Sequence, residues 1–260
     1  MENQFGKTSR LCLEAAQKDG KTILKEVFFT APFKIMHPFY EKKDIMTVMQ
    51  QTASAGIMAG DRQQLEVTVR EGASMELLSQ AYEKIHRMAE GHAGRHTEIR
   101  LEKDSFLRYS PLPTIPFGGS DFRNVTRVDL AEESSRFIFS EVLSCGRVAH
   151  GEKFQYNHFQ NRISILQGGH LVYRDNTVYL PDEMDMEGFG MYEGFTHLGS
   201  LILCNLPREA GWIREVRELL EHTEDTEGGV TVTAAGHIVV RILGRTGQKV
   251  SALLEQIERL

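Results

Sequence analysis

A short apolar strand, a polar corner and a second apolar strand recur along this chain at intervals of roughly thirty residues, a period that few folds accommodate. Val67-Thr68-Val69 turns through Arg70-Glu71-Gly72-Ala73-Ser74 into Met75-Glu76-Leu77-Leu78. Ile99-Arg100-Leu101 turns through Glu102-Lys103-Asp104-Ser105 into Phe106-Leu107-Arg108-Tyr109, and Val128-Asp129-Leu130 turns through Ala131-Glu132-Glu133-Ser134-Ser135 into Phe137-Ile138-Phe139. One such strand pair cannot bury its own apolar face and must stack on the next, as the rungs of a solenoid do. Fainter echoes flank the array, from Leu11-Cys12-Leu13 through Lys18-Asp19-Gly20 to Ile23-Leu24, and from Ile163-Ser164-Ile165 through Gly168-Gly169 to Leu171-Val172-Tyr173. With them the count comes to about five rungs. An antiparallel meander or sandwich would space its turns similarly, and the repeated corner chemistry is what favours the stack.

Near residue 195 the pattern changes. Strands are expected over 198–204, 230–233 and 238–243, and helices over 209–222 and 248–259. Ile213, Val216, Leu219 and Leu220 share one helical face, as do Val250, Leu253, Leu254 and Ile257. Pro207 fits just ahead of the first helix, where a missing N–H does no harm. The expected fold is therefore mainly β: a β-helical, solenoid-like stack of short strands over 1–195, with a small C-terminal α/β region containing two helices packed on it over 196–260. The acidic run Asp182-Glu183-Met184-Asp185-Met186-Glu187 marks the boundary and reads as a mobile loop or an interaction surface.

Composition excludes several classes. A formal net charge of −6 and a pI near 6.0, with no basic cluster, argue against nucleic-acid or anionic-membrane partners. The three cysteines, Cys12, Cys145 and Cys204, are far apart and suggest neither a disulfide framework nor a thiolate zinc site. The start Met1-Glu2-Asn3-Gln4-Phe5-Gly6-Lys7 lacks an apolar leader, and the run Leu201-Ile202-Leu203-Cys204 is too short to span a bilayer. A cytoplasmic setting is expected.

Candidate chemistry is sparse. In Ala55-Gly56-Ile57-Met58-Ala59-Gly60-Asp61, Gly56 and Gly60 permit positive φ or close backbone approach, and Asp61 either closes a turn with its own side chain or presents a charge at a strand mouth. Lys84, in a charged aromatic segment, reads first as a surface charge beside Glu83. Glu141 shares a strand face with Phe137, Phe139 and Leu143, so it needs a partner, a water path or a proton. Arg147, in the turn-rich loop that follows, is a partner for a nearby carboxylate. His86, His92 and His96 offer imidazoles that suit nickel or zinc, although Gly91 and Gly94 undercut a shared helix face for the last two. No catalytic triad, nucleophilic cysteine context or dinucleotide fingerprint is present, so the chain reads as a non-enzyme.

Pro38-Phe39-Tyr40, the Gly56 to Asp61 segment, Tyr82-Glu83-Lys84-Ile85-His86-Arg87, and Glu141-Val142-Leu143-Ser144-Cys145-Gly146-Arg147 with Gly151-Glu152-Lys153-Phe154 together resemble, in order, the urease accessory protein family UreD, called UreH in some bacteria. The resemblance implies a β-helical maturation factor that binds apo-urease, a UreF-like adaptor and, through that complex, the UreG GTPase, in a two-to-two heterodimeric assembly with the adaptor. It implies no tightly bound cofactor, transient nickel, and an internal polar passage to which Asp61, Lys84 and Glu141 correspond. Two departures stand out. The family's Gly-Gly-Ile-Val-Gly-Gly-Asp has Ala55 and Ala59 here, and a family glutamate is replaced by Tyr173, leaving fewer acids for a passage. Two other functions compete with this reading: a solenoid-type carbohydrate-active enzyme, which would need a column of exposed acids and aromatics, and a stand-alone nickel carrier using His86, His92 and His96.

Overall fold

The structure is a computed structural model that describes residues 8–42 and 44–260. The leading segment 1–7 lies outside the described residues. The chain begins with a hairpin of β1 (Thr8–Lys18) and β2 (Lys21–Phe29), followed by β3 (Phe33–Ile35), β4 (Phe39–Lys42) and β5 (Ile45–Thr52). Three rungs come next: β6 (Arg62–Val69), β7 (Ser74–Ser79) and β8 (Glu83–Ile85); then β9 (Ala93–Leu101), β10 (Phe106–Ser110) and β11 (Thr114–Pro116); then β12 (Asp121–Leu130) and β13 (Arg136–Ser144). A second hairpin, β14 (His158–Gln167) and β15 (His170–Tyr179), precedes β16 (His197–Cys204), α1 (Trp212–His222), β17 (Thr226–Val232), β18 (Ile238–Gly244) and α2 (Gly247–Arg259).

Each rung sends its first strand to one sheet and its second to another. The first sheet runs β15-β14-β12-β9-β6-β1-β2, and the second β17-β18-β16-β13-β10-β7-β5-β3. Within the rungs neighbours are parallel and in exact repeat register, so inward residues form columns. Leu13, Val67, Ile99, Val128 and Ile165 line up across the first sheet. Val48, Leu77, Tyr109, Phe139 and Ile202 face them across the second. All of these are buried in one core, the packing that an isolated rung lacks.

The two flanking echoes are not rungs. Asp19 and Gly20 have φ of 50° and 76°, and Gly168 and Gly169 have 56° and 82°. Two consecutive left-handed residues make a tight hairpin whose twist matches its strands. The chain therefore folds straight back in the first sheet instead of rounding a corner, and β2 and β15 close the stack as antiparallel edges.

The C-terminal part continues the second sheet, since β16 pairs antiparallel with β13 from Phe137↔Cys204 to Ser144↔His197, and β18 and β17 follow. The helices lie on this extension, with Trp212, Val216 and Leu220 of α1 and Val250, Leu253, Leu254 and Ile257 of α2 buried against Leu201, Leu203 and Val240. The first helix starts at Trp212, later than the sequence pattern suggests, because Gly211 takes φ 106° just before it. Among the described residues no helix is long and apolar enough to cross a membrane.

Candidate functional site

A narrow ledge branches off the second sheet along one side, joined to β13 through β11. Ile57 bridges Ile85 of β8, β8 pairs with β11, and Thr114 of β11 reaches Leu143 of β13. The Gly56 segment is part of this ledge. Ile57 N donates to Lys84 O at 2.8 Å and His86 N donates to Ile57 O at 2.8 Å. Gly56 has φ 145°, and a Cβ there would stand 2.4 Å from Lys84 O. Only glycine fits so close to another backbone. Ala55 and Ala59 are exposed and outside the left-handed region, so the two methyls are accommodated. Asp61 closes its own turn, Oδ2 accepting from Met58 N at 2.8 Å.

Behind the ledge the interior changes character. Gln63, Arg95, Asn124 and Asn161 share one register column across the first sheet, four positions before the apolar column of Val67, Ile99, Val128 and Ile165. Glu141 faces them from the second sheet, inward like Phe137 and Phe139. Asn161 Nδ2 donates to Glu141 Oε1 at 2.7 Å, and Asn124 Nδ2 donates to Asn161 Oδ1 at 2.9 Å. Arg95 Nε donates to Gln63 Oε1 at 2.8 Å and its Nη2 pairs with Glu83. On the other side Arg241 pairs with Asp175, and the Tyr173 hydroxyl also meets Arg241. Two guanidinium–carboxylate pairs thus flank a central carboxylate whose partner is a neutral amide.

Cavities follow this polar strip. One of about 30 Å³ is lined by Glu83, Arg95, Thr97, Asn124 and Glu141. Another of about 20 Å³ is lined by Glu141, Asn161, Asp175, Ser200 and Arg241. Each has room for about one or two waters. Glu141 forms part of both walls. Thr97 Oγ1 and Asn124 Oδ1 have no hydrogen-bond partner among the described residues, which suits a hydrated interior. Glu83 and Ser79 also line an outer cavity of about 80 Å³ with Gly56 and Lys84, and Arg241 and Leu198 also line one of about 280 Å³ with Tyr179, Tyr192 and Glu227. Each of the four spaces shares wall residues with the next.

Electrostatics single out the centre. Burial, then the Asp175 charge, pushes the Glu141 carboxyl up to about 7, against the opposing pull of Asn161 and Arg241. Burial opposes the charge on Arg95, and Glu83 more than restores it. Burial likewise opposes Arg241, where Asp175 and then Tyr173 outweigh it. Near neutral pH the uncompensated group is Glu141, which trades between a proton and a charge.

The other residues singled out by sequence stand apart from this centre. Lys84 is exposed on β8 at the outer cavity beside Gly56. Gly60 sits in the Asp61 turn, its N–H donating to His92 O at 3.2 Å. Arg147 binds Glu152 through Nε at 2.7 Å and lies over the Phe117 ring at 4.4 Å, holding the loop after β13. The three histidines do not converge. His86 Nε2 meets Ala55 O at 3.0 Å, His92 Nε2 meets Arg62 at 3.1 Å, and His96 on β9 lies 4.0 Å from Glu98. Burial, then Arg123 and Arg62, lowers the His92 pKa and disfavours its charged form. Among the described residues no three His, Cys, Asp or Glu side chains gather into a metal site.

Sequence reasoning missed Arg95, Glu83, Asn124, Asn161, Asp175 and Arg241. The signal was present in the repeats, since β6, β9, β12 and β14 each carry an amide or guanidinium four positions before the core residue. Asp175 lies two residues beyond Tyr173 on the same strand face, so an acid reaches this wall despite the tyrosine.

A family model described as UreD urease accessory protein matches residues 7–260. Among curated relatives, "Urease accessory protein UreD" of Acetivibrio thermocellus is 40% identical over 261 residues, covering 100% of this chain and 99% of that protein. "Urease accessory protein UreH" of Helicobacter acinonychis is 38% identical over 242 residues, covering 93% and 90%. The protein of that name in Helicobacter pylori strain G27 is 36% identical over 259 residues, covering 99% and 96%.

Proposed function

Because this chain belongs to the UreD urease accessory protein family, we propose that it is a non-enzymatic scaffold of urease maturation along whose polar strip nickel ions pass. In this reading it binds apo-urease together with a UreF-like adaptor, as a dimer of heterodimers in the cytoplasm, and meets the nickel-carrying UreG GTPase through that complex. The observation that carries the passage is the position of Glu141, an ionisable carboxylate with a neutral partner, in the shared wall of two polar cavities and between two self-compensated ion pairs.

The chemistry suits transit more than storage. Glu141, the Asn161 amide and the hydroxyls around them offer oxygen donors, to which nickel binds more weakly than to imidazole or thiolate clusters. An arriving dication takes the place of a proton on Glu141, so entry is linked to proton release. Arg95 and Arg241 remain neutralised by their own carboxylates and do not repel the cation at full strength.

Urease expressed with its accessory proteins, with and without this chain, tests the scaffold role at limiting nickel. Activation is expected only when the chain is present. Equal urease activity without it would remove the proposal.

A further inference from the structure

The loop between β15 and β16 carries the most exposed aromatic among the described residues, Phe189, whose accessible surface is 99% of the maximum. This is not a frayed segment. Gly188 N donates to Asp185 O at 3.2 Å, Met191 N to Gly188 O at 3.1 Å, Tyr192 N to Met186 O at 3.1 Å, and Gly190 N to Glu193 Oε1 at 2.7 Å. Met186 and Tyr192 are buried, and Tyr192 packs edge-on against Phe154 with ring centroids 4.8 Å apart. Phe189 stands between Gly188 and Gly190 as a ring held out on a braced support. Immobilising such a ring in a partner costs little further entropy, and a fully exposed phenyl has a large apolar area to bury.

Its surroundings narrow what would accept it. Asp182, Glu183, Asp185, Glu187 and Glu193 of the same loop are all exposed, with Lys153 4.0 Å from Glu187, so the loop is net acidic and the complementary surface is basic. Gly190, Met191 and Tyr192 also line the outer cavity that contains Arg241 and Glu227. A protein seated on Phe189 would therefore cover the mouth of this cavity. We infer that Phe189 is the anchor by which a partner protein, presenting an apolar socket rimmed by Lys and Arg, docks over this mouth, an inference that rests on the passage reading for its purpose but not for its geometry.

Binding of the full chain to purified urease apoprotein and, separately, to the purified adaptor tests this by calorimetry. Phe189→Ser should leave thermal stability unchanged and weaken binding to one or both partners by about 30-fold, the scale of an aromatic hot spot. Asp185→Lys with Glu187→Lys should weaken the same complex and flatten its salt dependence. Glu141→Gln should bind as tightly as the unaltered chain, which separates docking from passage. Unchanged affinity of Phe189→Ser for both proteins would overturn the inference.

Discussion

The corner at Gly56–Asp61 and the strip at Glu141 both place a carboxylate beside the ledge, yet the two acids are used in opposite ways. Asp61 turns its charge onto its own backbone, where Met58 N–H takes it up, and so fixes a shape. Glu141 is held deep between the sheets with an amide for a partner, and its charge remains unanswered. A motif recognisable in sequence can thus be the frame, while the chemistry lies on residues whose meaning appears only when strands are in register.

Breaking the frame should have the largest effect. Gly56→Ala combines a strained φ with a Cβ 2.4 Å from Lys84 O, and the expected loss is more than about 3 kcal/mol, read by denaturant unfolding. Gly146 repeats the arrangement, with φ 145° and a Cβ position 2.8 Å from Glu152 O.

Removing the central charge should instead stabilise. The folded-state pKa of Glu141 lies above the ordinary carboxylate value of 4.5, so the folded chain binds more protons than the unfolded one between 4.5 and about 7, and stability falls as pH rises through that window. Glu141→Gln does not titrate. It should match the unaltered chain near pH 4 and exceed it by about 3 kcal/mol at pH 8, in parallel urea titrations. Equal stabilities at both pH values would mean that the carboxylate is compensated after all.

Asp61→Ala should cost about 1 kcal/mol, the worth of one turn-closing hydrogen bond, and its effect on urease activation should track lost stability and recover on cooling. A loss of activation with stability unchanged would move Asp61 into the passage chemistry. Glu14 gives the smallest effect. Its carboxyl is drawn down to about 2 by hydrogen bonds from Arg70 and Lys25, so its contribution is present above pH 4.5 and lost as pH falls through about 2. Solvent screening limits Glu14→Gln to under about 1 kcal/mol, less at high salt.

The parts of this design that were legible in sequence are those set by local period. The three rungs, their polar corners and the two C-terminal helices follow from apolar spacing at periods of about 2 and 3.6. The outer echoes misled because their inward residues do continue the columns, while Asp19-Gly20 and Gly168-Gly169 reverse the chain by a pair of positive φ angles. In the site, the inward direction of Glu141 could be read from Phe137 and Phe139. Its neighbours show in sequence only as a shared offset in the repeats, because Arg95, Asn124 and Asn161 look like ordinary surface residues until parallel pairing stacks them. Arg241 comes from far along the chain, and only the antiparallel continuation of the second sheet brings it to Asp175.

Urease activation at limiting nickel, with Glu141→Gln in place of the unaltered chain and complex formation verified beforehand, tests the division between frame and chemistry most directly. Activation is predicted to fall at least about tenfold, although the variant is folded, more stable at pH 8 and fully bound to its partners. Activation equal to that of the unaltered chain would contradict the role assigned to the strip.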